Sequence, residues 1–186
     1  MQRDGVQVRR AHPDEWATVR DVRLAALADA PDAFASTLAR EEGRTEAEWR
    51  SRVALIPWFL AWQAGRPAGL VATFPVTQDS PEGPVHPVAE WHLVSMWVPP
   101  GARGGGVADL LVRAVLEHAR AAGAGKVTLW VAAGNARAAA CYRRMGFQPT
   151  GRHQLYPRPG AAALDEVEFT RELPGAPAAS YPQRRP

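Results

Sequence analysis

The passage that most constrains the fold is residues 88–122, where VAEWHLVSMWV runs into Pro99-Pro100, then GARGGG, then VADLLVRAVLEHARAA. The first part is the most β-like run in the chain, and neither proline can donate to a ladder, so the strand stops there. Beyond the glycines, Val107, Leu110, Leu111, Ala114, Val115, His118 and Ala122 recur at helical spacing. Asp109, Arg113 and Glu117 follow at four-residue steps on the opposite face, which predicts a solvated edge. A strand feeding directly into an amphipathic helix calls for a sheet with helices packed on it. The glycines are the anomaly, since each weakens a helix by about 1 kcal/mol relative to alanine. They form either a flexible connector or a stretch of backbone kept bare so that something can lie against it.

The flanking segments extend this pattern. VQVRRA (6–11) predicts a short strand, and HPDEWATVRDVRLAALADA a helix with Pro13 in its first turn. PDAFAS breaks that helix, and Thr45 and Glu48 stand in capping-box spacing ahead of a second one over 45–53. WFLAWQAGRPAGLVATFPV (58–76) predicts two strands about an Ala-Gly-Arg-Pro turn, and TQDSPEGPVHP a loop. GAGKVTLWVAA adds a turn and a strand, and NARAAACYRRMGF a short helix capped by Asn135 and stopped near Gly146. FQPTGR and LDEVEFTREL (164–173) close the sheet. The expected order is β-α-α-β-β-β-α-β-α-β-β in one mixed α/β sheet, a single domain over 5–173. Residues 174–186 are expected to be a disordered Pro/Ala-rich tail.

Composition narrows the functional classes. Of 186 residues, 46% are hydrophobic and 22% charged, as in soluble globular proteins. No apolar run approaches the roughly 18–20 residues of a membrane span, so no membrane partner is expected. The N-terminus has no hydrophobic stretch of signal-peptide type. A single cysteine, Cys141, excludes an internal disulfide and fits a cytoplasmic protein. Net charge is +3, but the arginines are scattered among acids with no basic run, so nucleic acid is not an expected partner. The histidines at 12, 86, 92, 118 and 153 lack metal-ligand spacing, and no metal is expected.

A helix N-terminus presents unpaired amides and partial positive charge, which together suit an anion. Glycines remove the side chains that would hold a phosphate away, and Arg103 adds a forked cation at the rim. The stretch is neither a P-loop nor a dinucleotide loop, since no Gly-Lys-Ser/Thr and no Gly-x-Gly-x-x-Gly occurs. R-G-G-G-V-A fits Arg/Gln-x-x-Gly-x-Gly/Ala through Arg103, Gly106 and Ala108. Downstream, Asn135, Ala138, Tyr142, Gly146 and Phe147 fit N-x-x-A-x-x-x-Y-x-x-x-G-F. In both signatures the chain resembles the Gcn5-related N-acetyltransferase family, bacterial members included, over about a third of its length. Gly105 stands where that family often has a second basic residue.

The resemblance implies a splayed central sheet and acetyl-CoA as co-substrate. Pantetheine would lie along the main chain of Met96, Trp97 and Val98, and the pyrophosphate on Arg103, Gly104, Gly105, Gly106, Val107 and Ala108. Asn135, Ala138 and Tyr142 would line the cofactor arm, with the Tyr142 hydroxyl as the acid for the leaving thiolate. An amine acceptor of lysine type has a pKa of about 10.4, so a base must take its proton before it attacks. Glu90, His92, Val94, Met96 and Val98 alternate onto one strand face, and either Glu90 or His92 is the candidate base.

Acceptor selection belongs to two segments expected to overhang the site, PDAFASTLAREEGRTEAEW and GRHQLYPRPGAA. Glu41, Glu42 and Glu46 would attract a cationic amine, or are simply solvated. Trp58, Trp62, Trp91 and Trp97 supply either core or an aromatic wall, and His153 and Tyr156 are further pocket candidates. A small-molecule amine is the expected acceptor. A protein N-terminus or lysine is the alternative, as is a binding module without turnover, and the family resemblance leaves a homodimer open.

Overall fold

The computed structural model describes residues 2–3, 5–76, 90–158 and 161–174. The expected loop over 77–87 and all but the first residue of the expected tail lie outside them. Thirteen elements follow along the chain: β1 (Gln2–Arg3), β2 (Val6–Arg10), α1 (Trp16–Asp29), α2 (Leu38–Glu42), α3 (Glu46–Leu55), β3 (Trp58–Gln63) and β4 (Arg66–Pro75). Then come β5 (Glu90–Trp97), α4 (Val107–Ala121), β6 (Lys126–Ala132), α5 (Ala136–Arg144), β7 (Gln148–Tyr156) and β8 (Leu164–Glu172). The strands form one mixed sheet in the order β1-β2-β3-β4-β5-β6-β8-β7, and only β5 and β6 run parallel.

Local chemistry explains the breaks. Ala64 and Gly65 both take positive φ (48° and 74°), the mirror-image turn that matches the twist of a β3–β4 hairpin. Thr45 and Glu48 form the expected capping box on α3. Between the two predicted helices, beyond PDAFAS, stands an unpredicted one, α2, capped by Thr37 on the amide of Arg40.

Each sheet face carries its own apolar layer. On one, Val107, Leu110, Leu111 and Val115 of α4 pack on Val8, Phe59, Val71, Leu93 and Leu129. Burying one such leucine is worth about 1.5–3 kcal/mol. On the other, Val19, Val22 and Leu27 of α1 pack on Trp58, Leu60, Leu70 and Ala72. No helix among the described residues is long and apolar enough to cross a membrane.

The strand at the centre departs from simple alternation. The β4–β5 register changes from Leu70↔Trp97 to Ala72↔Val94, inserting one residue on β5, and Ser95 takes φ 58°. Side chains therefore switch faces at Ser95. Leu93, Met96 and Val98 pack toward α4, whereas Val94 and Trp97 pack toward α1. The single face expected for Glu90 through Val98 thus ends at Val94. Gly69 sits opposite the distortion, where an added Cβ would fall 2.8 Å from the Trp97 carbonyl oxygen.

Candidate active site

The bulge precedes an opening in the sheet. Strands β5 and β6 pair only through Glu90–Lys126, Trp91–Val127 and His92–Thr128. Past that point β6 stays with β8 as far as Ala132, while β5 stays with β4. The two parallel strands therefore part, and among the described residues the edge of β5 beyond His92 has no strand partner on that side. Helix α4 starts after the C-terminal end of β5, and α5 after that of β6.

At the start of α4, Gly104 and Gly106 take left-handed φ of 87° and 78°, which side chains other than glycine tolerate poorly. Gly105 has no such constraint, and a Cβ there meets only the Ala102 carbonyl oxygen at 3.8 Å. Its bareness thus serves no need of the fold. The amides of Val107, Ala108 and Asp109 have no intrahelical acceptor by helix geometry and open onto this turn. Arg103 is not a free cation at the rim. Its Nε donates to the Val98 carbonyl at 2.8 Å, and its Nη2 bonds the Asp29 carboxylate at the end of α1. Asp29 also accepts from Trp97 Nε1 at 2.9 Å.

On α5, Asn135 accepts from the Ala138 amide at 3.0 Å, and Ala138 packs against the core. Tyr142 is buried, edge-on to Phe147 at 5.7 Å. Burial pushes its hydroxyl pKa far above the usual value, so it holds its proton. Cys141 is half-buried, and burial pushes its thiol pKa up as well, away from nucleophilic behaviour.

A hydrogen-bonded chain crosses from β6 to β5. Lys126 Nζ lies 2.8 Å from Glu90 Oε2, Thr128 Oγ1 donates to Glu90 Oε1 at 2.8 Å, and His92 Nδ1 lies 3.0 Å from Thr128 Oγ1. Burial pushes the Glu90 pKa up, but the bonds from Lys126 and Thr128 outweigh it and hold the carboxyl below its usual value. Glu90 is thus an anion that can only accept. Thr128 has one hydroxyl proton, and with that proton on Glu90 its oxygen must accept from His92. Nδ1 therefore carries the hydrogen and Nε2 the lone pair. Burial lowers the His92 pKa below 6.5, against the opposing charges of Glu90 and Glu168, so the ring is neutral at pH 7.

His92 lines a pocket of about 360 Å³ that Glu90 does not reach. Phe74, Val94, Trp130, Gln154, Tyr156 and Glu166 line its sheet side, and Arg23, Phe34, Glu41, Arg44 and Arg52 its helical side. Described residues of both segments expected to overhang line the pocket, and the second is partly strand, since β7 continues through Tyr156. Arg158 then ties it to the first, donating to the carbonyls of Pro31 (2.8 Å), Phe34 (3.4 Å) and Ala162 (2.7 Å).

Several pocket expectations fall elsewhere. None of Trp58, Trp62, Trp91 and Trp97 lines the pocket. Trp58 is core, Trp62 lies under Arg9, Trp91 is edge-on to His118, and Trp97 is bonded to Asp29. His153 is exposed beside Asp165 and lies outside the pocket, whereas Tyr156 lines it. Glu42 and Glu46 are exposed, and Glu41 is buried against Arg23 at 3.0 Å, so its charge is neutralised. The sequence reading missed Trp130 and Glu166. Their signal is alternation: Thr128 and Trp130 share a face of β6, as Glu166 and Glu168 do on β8.

Residues 22–147 match the sequence profile of the acetyltransferase (GNAT) family. A mycothiol acetyltransferase from Corynebacterium glutamicum is 50% identical over 54 residues, 29% of this chain and 18% of that protein. N-acetyltransferase family 8 member 2 from Rattus norvegicus is 32% identical over 117 residues, 63% of this chain and 50% of that one. The chain thus spans half or less of the length of these curated relatives. Among solved structures, a ribosomal-protein-alanine N-acetyltransferase from Brucella melitensis superposes with TM-score 0.67 at 24% identity, over 90% of this chain and 99% of that one. A putative acetyltransferase from Salmonella typhimurium, solved with its cofactor acetyl-CoA, gives 0.69 at 18% identity, over 94% and 98%. At these identities the structural likeness establishes the fold. The profile match takes in the bulged strand, the glycine turn and Tyr142 together, and by it the chain belongs to the acetyltransferase (GNAT) family.

Proposed function

We propose that the protein transfers an acetyl group from acetyl-CoA to a primary amine on a small molecule, with His92 as the base. The observation that carries this reading is the Lys126–Glu90–Thr128–His92 chain, which leaves a neutral imidazole at a pocket wall, its Nε2 lone pair without a hydrogen-bond partner among the described residues. The bare amides at the start of α4 suit a diphosphate, and the unpaired edge of β5 suits an extended, amide-bearing arm. When bound, acetyl-CoA supplies a thioester carbonyl open to attack by an amine and a thiolate that departs. His92 Nε2 takes the proton of the acceptor amine, directly or through one water. Tyr142, protonated because it is buried, is positioned by its helix as proton donor to the departing sulfur. A pocket of about 360 Å³ is of small-molecule size. A cytoplasmic setting accords with the single, half-buried cysteine.

Thermal unfolding with acetyl-CoA or CoA tests the donor assignment. Ligand at ~100 times its Kd adds about 2.7 kcal/mol to stability, and no stabilisation at millimolar ligand overturns the assignment. Free CoA release across a panel of amines tests transfer. Clear CoA binding beside a flat panel would leave a binding module and remove the catalytic role.

A further inference from the structure

The helical wall of the pocket carries more positive charge than the described residues neutralise. Arg23 is 4% exposed; its Nε and Nη2 hold Glu41 at 3.3 and 3.0 Å, while its Nη1 has no partner among the described residues. The Nε atoms of Arg44 and Arg52 are likewise buried without a hydrogen-bond partner there. Arg40 lines the same wall. Four guanidinium groups thus border the pocket, and Glu41 is the carboxylate that pairs with one of them. Burial lowers the Arg52 pKa, and despite Glu41 the neighbouring charges of Arg44, Arg23 and Arg40 lower it further.

Among the described residues nothing nearby relieves this excess. Arg23 stacks over Phe34 and Arg52 over Trp49, contacts that use a cation's face and leave its N–H donors unmade. Across the pocket, burial pushes the Glu166 pKa up, and the carboxyl is already bonded to Gln154 at 2.7 Å. Glu48, whose pKa Arg44 helps to lower, is held by the Thr45 cap. Asp32 lies 3.6 Å from Arg158 and is almost fully exposed. Buried donors left unmade are costly, and these three belong to arginines that all line one pocket.

We infer that the acceptor substrate is an amine that also bears a carboxylate, held by Arg23, Arg44 and Arg52 while its amine faces His92. A carboxylate presents two coplanar oxygens that match the guanidinium fork. The amine half rests on the acetyl-transfer reading above, whereas the anion half rests on the arginines alone.

Two measurements separate these halves. In the first, CoA release is followed with α-amino acids, each beside its own C-terminal amide. The amide keeps the amine and is more often unprotonated, so the comparison is biased against the inference. The acids are expected to exceed their amides in kcat/KM by about tenfold, the scale of one charge-assisted bond. Arg44→Gln, at a half-buried position outside the Arg23–Glu41 pair, is expected to raise KM for the acids more than for the amides, so that the acid-over-amide ratio collapses toward one. Equal use of acid and amide, or a preference for polyamines, overturns the inference.

In the second, succinate binding is measured by calorimetry without acetyl-CoA, on the wild-type protein and on Arg44→Gln. Binding that is lost in the variant supports the anion site even if acetyl-CoA fails to bind, an outcome that would sink only the transfer reading. CoA release with neutral amines, beside no succinate binding, would sink the carboxylate and leave transfer standing.

Discussion

In the proposed function the start of α4 offers a ligand its backbone, whereas the β5–β6 opening offers side chains. The first region is six consecutive residues, Arg103–Ala108, whose recognition groups are amides and whose glycines keep them bare. The second draws on α1, α2, α3 and five strands, from Arg23 to Glu166. Their arginines differ in the same way. Arg103 is engaged by the Val98 carbonyl and Asp29, and so braces the end of β5 against α1. Arg23, Arg44 and Arg52 keep donors without a partner among the described residues. Backbone recognition is general and needs little side-chain help. On the proposed reading, selectivity lies where side chains are left incomplete.

This division can be broken by experiment. His92→Ala is expected to have the largest effect, lowering kcat/KM by about 10²–10⁴ while leaving CoA affinity unchanged. If CoA affinity fell in parallel, the two regions would be a single unit. Gly106→Ala should cost about 1–2 kcal/mol in denaturant unfolding, because its φ of 78° is left-handed although space around it is open. A neutral result would mean that the turn relaxes.

Gly105→Asp should not lower the unfolding midpoint, since that φ is unconstrained and a carboxylate suits a helix start, yet it should weaken CoA binding by roughly 0.3–1 kcal/mol because that charge occupies the anion-favouring position. Unchanged CoA affinity would remove the cradle role. Tyr142→Phe should slow turnover with CoA binding retained; an unchanged rate would remove the proton-donor role.

The smallest expected effect is in pH dependence. A protonated His92 cannot accept a proton, so kcat/KM falls as pH drops through its pKa, which burial places below 6.5. Glu90→Gln removes the charge that counteracts burial, so the acidic limb should move to still lower pH. A limb that stays in place would dissociate Glu90 from His92 and leave it as the partner of Lys126 alone.

Much of the fold was legible because it depends on short-range periodicity. The α4 stripe, the Thr45–Glu48 cap, the Pro99-Pro100 stop and the Asn135 cap all stand in the structure where the spacing puts them. Alternation along β5 failed past Val94, because a bulge is a mismatch between two strands and is invisible in either one alone. The acidic appearance of 41–46 misled for a related reason. Glu41 is eighteen residues from Arg23 along the chain, and their contact at 5% and 2% side-chain exposure reverses the sign of the pocket.

By itself, then, the sequence determined every element but β1 and α2, the order of the rest and the bare-backbone turn with its two signatures, since each is encoded within one or two helical turns of chain. Only the tertiary structure decided which face each β5 residue takes, that Arg103 is engaged within the protein, that Thr128 sets the His92 tautomer, and that arginines dominate the pocket wall. Those outcomes depend on burial and on partners brought together from distant segments. Desolvation and pairing, which decide the charge and the proton of each group, do not exist until the chain has closed on itself.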